Sequence, residues 1–182
     1  MLKIKTFENI YSPEDAEGIL LNCDSKINIA KMTEVYYPYK RIKYNLTIGG
    51  RLSKLDKEVN CIIDLVSAVP AVGQGMPNFV EIEVDESIVL ERVVTDERLY
   101  EIGHNFVFKL FLNRSKILHT PNIAIEEEEL FHKMFYITQC LDNEGVSYFV
   151  LVDSIDGGIA ILDWKQQAAN AKVQAEVQNE QE

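Results

Sequence analysis

The chain has 182 residues, of which 47% are hydrophobic and 26% are charged, a composition that supports a packed core and excludes wholesale disorder. Its formal net charge of −11 at pH 7 repels phosphate, which argues against direct binding to nucleic acid and to anionic membranes. No run approaches the ~20 apolar residues of a membrane-spanning helix, and the first ten residues lack the apolar region of a signal peptide, so we expect a cytoplasmic protein.

The three cysteines, Cys23, Cys61 and Cys140, are widely separated along the chain. No pair has the close spacing of a zinc-binding or redox motif. A free cysteine behaves as a small hydrophobic residue, and it persists in reducing compartments. The sequence therefore predicts three reduced thiols in the core, with no metal site and no cofactor.

The first helix has a clear start after a short strand predicted over residues 2–10. Ser12-Pro13-Glu14-Asp15 combines a capping serine, a proline suited to the first helical position, and two acids that favour the positive end of the helix dipole. Apolar residues then recur at helical spacing: Ala16, Ile19, Leu20 and Cys23. This spacing predicts one buried helical face.

Three strands are predicted to follow this helix. Residues 32–48 are rich in aromatic and β-branched side chains. Pro38 among them predicts an edge strand or a strand start, and the cationic group Lys40, Arg41 and Lys43 also suits an edge. Residues 59–66 are almost continuously apolar, which predicts a central strand. A loop rich in glycine and proline over residues 67–78 leads into a strand over residues 79–84.

The second half predicts a helix that begins at Thr95-Asp96-Glu97, followed by strands over residues 129–141 and 146–152. The pair Gly157-Gly158 predicts a turn before a last strand over residues 159–162. The helix carries an apolar stripe at Leu99, Ile102, Phe106 and Leu110. Core positions are expected on the apolar strands of both halves: Ile62, Ile63, Phe149 and Leu151.

The two halves of the chain share the same predicted order of elements. The helix starts at Ser12 and Thr95 are 83 residues apart, and Asp64 and Asp153, which end the apolar strands, are 89 residues apart. The aromatic strands match with a separation of 92, as residues 39–44 against residues 131–136. One such unit buries little surface alone, so the two units are expected to complete one core.

The sequence therefore predicts an α+β fold of two units, each a helix plus an antiparallel hairpin. The first unit covers residues 1–84 and the second covers residues 85–164, and the two halves are compatible with a single domain. A polar tail over residues 165–182 is predicted to form either a surface helix or a frayed end.

The hairpins carry a resemblance to a known family. Tyr36-Tyr37-Pro38-Tyr39, followed by a strand and then a strand that ends at Ile63-Asp64, resembles bacterial cystatin-like and PepSY-like modules. In those modules a helix packs on an antiparallel sheet, and an apolar strand leads into an aspartate and a glycine turn. Asp153 with Gly157-Gly158 fits this pattern better than Asp64, which lacks the following glycine. The resemblance implies a binding or inhibitory module, usually non-catalytic, and transfers no site residue.

No set of residues predicts a catalytic centre. Glu129 and His132 have the spacing of a di-iron ligand pair, but the pair lies in a predicted strand and has no second copy. The segment 153–158 lacks the later glutamate of a calcium loop, and Gly73-Gln74-Gly75 lacks the lysine of a phosphate loop. The remaining histidines, His104 and His119, have no adjacent nucleophile.

Two surface signals remain. The four glutamates at residues 126–129 are predicted to form a solvated turn or strand edge, with binding of a cation or a basic partner as the alternative. Tyrosines crowd the first aromatic strand, and aromatic side chains serve interfaces and sheet faces equally well. The candidate interface consists of Tyr36, Tyr37, Tyr39, Arg41 and Tyr44.

Three functions are compatible with these patterns. The leading hypothesis is a non-enzymatic protein-binding or adaptor module, whose partner is another protein or a second copy of the chain. The first alternative is an enzyme with a small-molecule cleft between the halves, lined by Asp64, Asp153 and a histidine. The second is an acidic decoy of a nucleic-acid-binding protein, which requires carboxylates spread along one face.

Overall fold

The computed structural model describes residues 1–48, 55–74, 78–114, 121–142 and 145–162. The described part of the chain contains eight strands, two α-helices and a 3-10 turn at Glu86–Ile88. In chain order the elements are β1 (Leu2–Phe7), α1 (Pro13–Cys23), β2 (Asn28–Ile48), β3 (Leu55–Asp64), β4 (Pro70–Val72), β5 (Phe79–Val84), α2 (Asp96–Arg114), β6 (Asn122–Leu141), β7 (Ser147–Asp153) and β8 (Ile159–Ile161). The predicted tail over residues 165–182 lies outside the described residues.

The strands form a single mixed sheet with the order β4-β3-β2-β6-β1-β5, and β7 and β8 continue from β6 off this path. The prediction of two separate helix-plus-hairpin units is therefore wrong. The prediction failed because β2 and β6 run for 21 and 20 residues and pair on both sides, whereas hairpin strands are usually much shorter. The sheet is also not purely antiparallel, since β1 pairs with β6 in parallel at Thr6 and His132.

The chain divides into two compact units, each assembled from both halves of the sequence. Unit 1 consists of Met1–Tyr37, Asn78–Leu90 and His132–Glu182, and unit 2 consists of Pro38–Pro77 and Glu91–Phe131. The long strands β2 and β6 each contribute residues to both units. The predicted boundary after residue 84 separates the two copies of the sequence repeat, and it stays a prediction.

In unit 1, helix α1 packs its apolar face on the sheet. Its start is as predicted: the Ser12 side chain accepts a hydrogen bond from the Asp15 N–H, and the Asp15 carboxylate accepts one from the Ser12 N–H. Ala16 and Leu20 are buried against strand residues of the same unit. Cys23 is exposed, which corrects the prediction that all three cysteines lie in the core, because it is the last residue of the helix.

In unit 2, helix α2 covers the β2–β3 hairpin through a buried row one turn apart. Leu99, Val107 and Phe111 are buried, and Gly103 lies between them on the same face. A β-carbon at Gly103 would lie 2.3 Å from the Tyr44 hydroxyl oxygen, so the tyrosine fits only because this position has no side chain. The predicted stripe is displaced around the helix, since its other members are half-buried: Ile102, Phe106 and Leu110.

The strand residues predicted for the core divide between the two faces of the sheet. Ile63 is fully buried, as predicted. Ile62, Phe149 and Leu151 are half-buried, because each is a strand neighbour of a buried residue and so points to the opposite face. On β7 the buried apolar positions are Val150 and Val152. They pack with Ala16 and Leu20 of α1 in the hydrophobic core of unit 1, which we call the α1 cluster.

The same backbone turn follows Asp64 in unit 2 and Asp153 in unit 1. In unit 2 the Asp64 carboxylate accepts hydrogen bonds from the N–H groups of residues 66 and 67, and the Ala68 N–H donates to the Asp64 carbonyl. In unit 1 the Asp153 carboxylate accepts from residues 155 and 156, and the Gly157 N–H donates to the Asp153 carbonyl. The two turns thus share their hydrogen bonds, and their aspartates are 89 residues apart.

The carbonyl of the residue after each aspartate accepts hydrogen bonds from the segment that precedes a helix. The Ser154 carbonyl accepts from Ile10 and Tyr11 at 2.9 and 3.0 Å, and the Leu65 carbonyl accepts from Val93 and Val94 at 2.9 and 3.0 Å. These donor segments are 83 residues apart, as predicted for the helix starts. The strand match is corrected, because Tyr39 and Phe135 lie opposite the two aspartates, a separation of 96 residues.

Candidate protein-binding surface

The tyrosine-rich strand is central in the sheet, because β2 lies between β3 and β6. The prediction of an edge strand was therefore wrong. Its basis was Pro38, which has no N–H to donate, but the β2–β3 ladder ends at Tyr39 and Asp64. Pro38 lies just beyond that ladder, where only its carbonyl is used, as the acceptor for the Leu65 N–H at 3.0 Å.

Two tyrosines of the candidate interface lie in the core of unit 1. Tyr36 is buried in the α1 cluster, and burial raises its pKa, followed by the nearby charge of Glu34. Tyr37 is buried with its ring edge-on to Phe135, at 5.1 Å between the ring centroids. Both side chains therefore contribute packing rather than accessible surface.

Tyr44 is the largest fully buried side chain of unit 2. It lies with Leu99 and Val107 of α2 in the hydrophobic core of unit 2, which we call the α2 cluster. Among the described residues, none forms a hydrogen bond with its hydroxyl oxygen. Burial raises the pKa of Tyr44 well above its ordinary value, and burial also raises the pKa of Cys61 in the same cluster to about 12. Both groups are therefore uncharged at neutral pH and form part of the core.

The two remaining members of the candidate interface, Tyr39 and Arg41, are only half-buried. The Tyr39 ring stacks on Phe131 at 5.6 Å between centroids, with 17° between the planes. The Arg41 guanidinium lies 2.9 Å from the Glu129 carboxylate and 3.6 Å from the Glu127 carboxylate. The structure thus leaves an aromatic pair and an ion pair on this part of β2.

Arg41 belongs to a larger set of ion pairs in unit 2, which we call the charged ladder. The Lys43 ammonium lies 3.1 Å from Glu126 and 3.3 Å from Glu58, and Lys40 lies 3.0 Å from Glu128. The charged ladder consists of Arg41 and Lys43 of β2, Glu58 of β3, and Glu126, Glu127 and Glu129 of β6. Lys40 and Glu128 pair on the opposite face of the sheet, beside Tyr100 of α2. The glutamates at 126–129 are therefore part of a paired strand, which corrects the prediction of a turn or strand edge.

The electrostatics of the charged ladder favour ionised side chains. Hydrogen bonds to Glu126 and then Glu58 raise the pKa of Lys43, while hydrogen bonds from Lys43 and then Asn45 lower the pKa of Glu126. On the opposite face of the sheet, Tyr100 of α2 donates its hydroxyl to Glu128, and this bond raises the pKa of the tyrosine. Within the charged ladder four carboxylates share two cationic side chains, so the charged ladder keeps a negative excess.

Exposure within the charged ladder is uneven. The cationic side chains are between 22% and 26% exposed, whereas the Glu58 and Glu127 side chains are 62% and 59% exposed. The cations are therefore held close to the sheet while carboxylates face solvent. The sequence contained both charge runs, but their pairing depends on β2 and β6 being neighbours, which no local pattern reveals.

The other residues considered for a catalytic or metal site make local contacts within the fold. Asp64 is used within its turn, and Asp153 is used within its turn and in an ion pair with Lys133. His132 is buried, and burial lowers its pKa. His104 is exposed and stacks on Phe108. His119 and Gly75 lie outside the described residues.

Across the described ranges, no three His, Cys, Asp or Glu side chains are grouped so that they could hold a metal ion. No helix in the described part of the chain is long and apolar enough to cross a membrane. No family model, no curated protein and no solved structure matches this chain. Functional inference therefore depends on the geometry of the charged ladder.

Proposed function

We propose that this chain is a non-enzymatic protein-binding module, and that the charged ladder binds a basic segment of a partner protein. The observation that carries this proposal is the uneven exposure of the ladder. Cations that are about three-quarters buried sit beside carboxylates of Glu58 and Glu127 that are 62% and 59% exposed. A basic partner would meet the carboxylates first.

The ion pairs restrict the conformations of these carboxylates before a partner binds. Arg41 bridges Glu127 and Glu129, and Lys43 bridges Glu58 and Glu126. A side chain that is already held loses less conformational freedom when a partner binds. Complementary charge of this kind gives specificity and a fast association rate more than raw affinity, which suits a reversible adaptor.

Tyr39 continues this surface along β2, because it is half-buried while its stacking partner Phe131 is buried. Tyr39 precedes the cationic residues of the ladder and stacks on Phe131, which follows the glutamates of β6. Tyrosine is enriched at protein interfaces because it combines a large apolar ring with a polar tip. A partner with a basic stretch next to an apolar side chain would therefore fit both parts of the surface.

Charge reversal of the two exposed carboxylates tests the proposal. The double variant Glu58→Lys/Glu127→Lys is compared with Glu91→Lys, an exposed residue of the same unit, using a fluorescent hexalysine peptide as the probe. We expect the double variant to bind about tenfold or more weakly, since each lost charge contact contributes on the order of 1 kcal/mol. We expect Glu91→Lys to change the Kd by less than about twofold.

Two further results would decide against the ladder. Equal weakening by the double variant and by two control reversals, Glu91→Lys with Glu101→Lys, would mean that the peptide senses only net charge. Hexalysine binding that does not weaken as salt rises would also contradict the proposal, because contacts between exposed charges are screened. Circular dichroism of each variant verifies that the fold is retained.

A further inference from the structure

Strand β5 presents a long open edge in unit 1. It pairs with β1 over its whole length, from Leu2 opposite Val84 to Phe7 opposite Phe79. It stands at the end of the sheet order, and within the described ranges no strand pairs with its other side. In a strand of this kind every second residue directs its N–H and C=O groups away from the sheet.

The other terminal strands of the sheet are protected in ways that β5 is not. Strands β4 and β8 each have three residues, and β4 begins with Pro70. Short length and proline are two devices that prevent a sheet edge from accepting another strand. Strand β5 has six residues and no proline, which leaves room for several backbone hydrogen bonds to an added strand.

The side chains of β5 specify which strand could be added. Glu81 and Glu83 are exposed and share one face, and Val80 on the other face is 36% exposed. Two copies of β5 in antiparallel register would bring glutamates together, and like charges on adjacent strands are destabilising. A strand with cationic residues at alternate positions would instead meet opposite charge.

Two lysines of β1, Lys3 opposite Glu83 and Lys5 opposite Glu81, offset part of this charge from the inner side of β5. The Lys3 ammonium lies 2.6 Å from Glu81, but the two side chains are 66% and 59% exposed, and exposed pairs of this kind contribute little to stability. Asp85 and Glu86 extend the acidic run beyond the strand and are exposed. The edge therefore remains acidic toward any strand that approaches it.

We propose that the β5 edge binds an extended basic segment of a partner protein by strand addition. The partner segment carries lysine or arginine at alternate positions, opposite Glu81 and Glu83, with β-branched residues between them. Backbone hydrogen bonds supply the affinity and the alternating charges select the partner. This site involves unit 1 residues only, so its test does not depend on the charged ladder in unit 2.

Backbone methylation of a synthetic peptide tests the proposal directly. The probe is the blocked peptide Thr-Lys-Val-Lys-Val-Lys-Thr, with two derivatives that carry N-methyl groups either on the lysines or on the valines. In an added strand only one of these alternating sets faces β5. We expect one derivative to bind about tenfold or more weakly and the other to bind within about threefold of the parent, as measured by fluorescence anisotropy.

Protein variants provide the second test. Glu83→Lys is expected to weaken the parent peptide by about tenfold, whereas Glu17→Lys on the exposed side of α1 in the same unit leaves its Kd nearly unchanged. Equal effects of the two methylated peptides, equal effects of the two variants, or no binding of the parent peptide would each overturn the proposal. Self-association of the protein that Glu83→Lys abolishes would also overturn it, because the occupant would then be a second copy.

Discussion

The turn after Asp64 in unit 2 and the turn after Asp153 in unit 1 share their hydrogen bonds but differ at one residue. The fifth position has a φ of 69° at Gly157 and 62° at Ala68, and Ala68 is the only non-glycine residue with a positive φ among those described. Glycine adopts this region without steric penalty, whereas alanine does not. The aspartate and the carbonyl that receives the helix segment therefore impose this geometry even on a residue that resists it.

The two helices differ in a similar way at a glycine. In unit 1, a β-carbon at Gly18 would have no atom of the described residues within 4 Å. In unit 2, a β-carbon at Gly103 would lie 2.3 Å from the Tyr44 hydroxyl and 3.3 Å from Ile63. Gly18 thus only lowers the stability of its helix, whereas Gly103 is required by the packing of Tyr44 against α2. Among these four positions, Gly157 and Gly103 are needed as glycine, Gly18 is replaceable, and Ala68 stands where glycine would fit.

Truncation of the core should produce the largest effect. Ile63→Ala is expected to lower the free energy of unfolding by ~2–5 kcal/mol, because the side chain is fully buried between the β2–β3 hairpin and α2. Ile62→Ala, one residue away on the half-buried face, should have a clearly smaller effect. Urea denaturation of both variants measures this difference, and similar losses would show that the two faces of β3 are equally important.

The glycines in the helices should give opposite results. We expect Gly103→Ala to destabilise the protein by ~1–3 kcal/mol, since overpacking against Tyr44 outweighs the better helix propensity of alanine. We expect Gly18→Ala to stabilise it by ~0.5–1 kcal/mol, because only the propensity changes. Thermal unfolding of the two variants tests this pair, and stabilisation by Gly103→Ala would mean that Tyr44 can move aside.

Exchanging the residues of the two turns should also give effects of opposite sign. Gly157→Ala is expected to lower stability by about 1–2 kcal/mol, with a further contribution from the close approach to Ile19 at 3.1 Å and Tyr11 at 3.3 Å. Ala68→Gly should raise stability by a few tenths to ~1 kcal/mol, as relief of strain outweighs the added freedom of the unfolded chain. The equivalence of the turns would be contradicted if both changes had the same sign.

The last effect is absent at neutral pH and is confined to high pH. Burial raises the pKa of Tyr136 in unit 1 to about 12, and its hydroxyl donates to the Tyr11 carbonyl at 2.8 Å. Because the unfolded tyrosine ionises near pH ~10, the folded state binds more protons between these values. The contribution of Tyr136 to stability should therefore be constant below about pH 10 and fall as the pH rises toward 12. Tyr136→Phe should reduce this fall, as followed by denaturation at a series of pH values.

Local signals in the sequence located several elements correctly. The Ser12 cap and Asp15 fixed the start of α1, since a capping box involves only neighbouring residues. The strand over residues 79–84 has the predicted bounds, and Asp64 and Asp153 mark equivalent turns. In each case the residues that decide the structure are adjacent in the chain.

The failures involve partners that are distant in sequence. Pro38 indicated an edge, but the neighbours of β2 are chosen by the sheet, not by β2 alone. The sequence predicts a solvated turn or strand edge at residues 126–129, because the cationic partners of these glutamates are more than 80 residues away. The same limit applies to the candidate interface. Tyr36, Tyr37 and Tyr44 are buried, whereas Tyr39 and Arg41 are half-buried.

The way unit 1 is assembled has a consequence for synthesis of the chain. Ile10 and Tyr11 donate their hydrogen bonds to Ser154, and α1 packs on Met134 and Val152. On the ribosome, these early residues emerge long before the strands that cover them, whereas all of unit 2 lies between Pro38 and Phe131. Unit 2 can therefore complete its core first, and the N-terminal strand and helix must wait, with their apolar face uncovered, until β7 has left the exit tunnel.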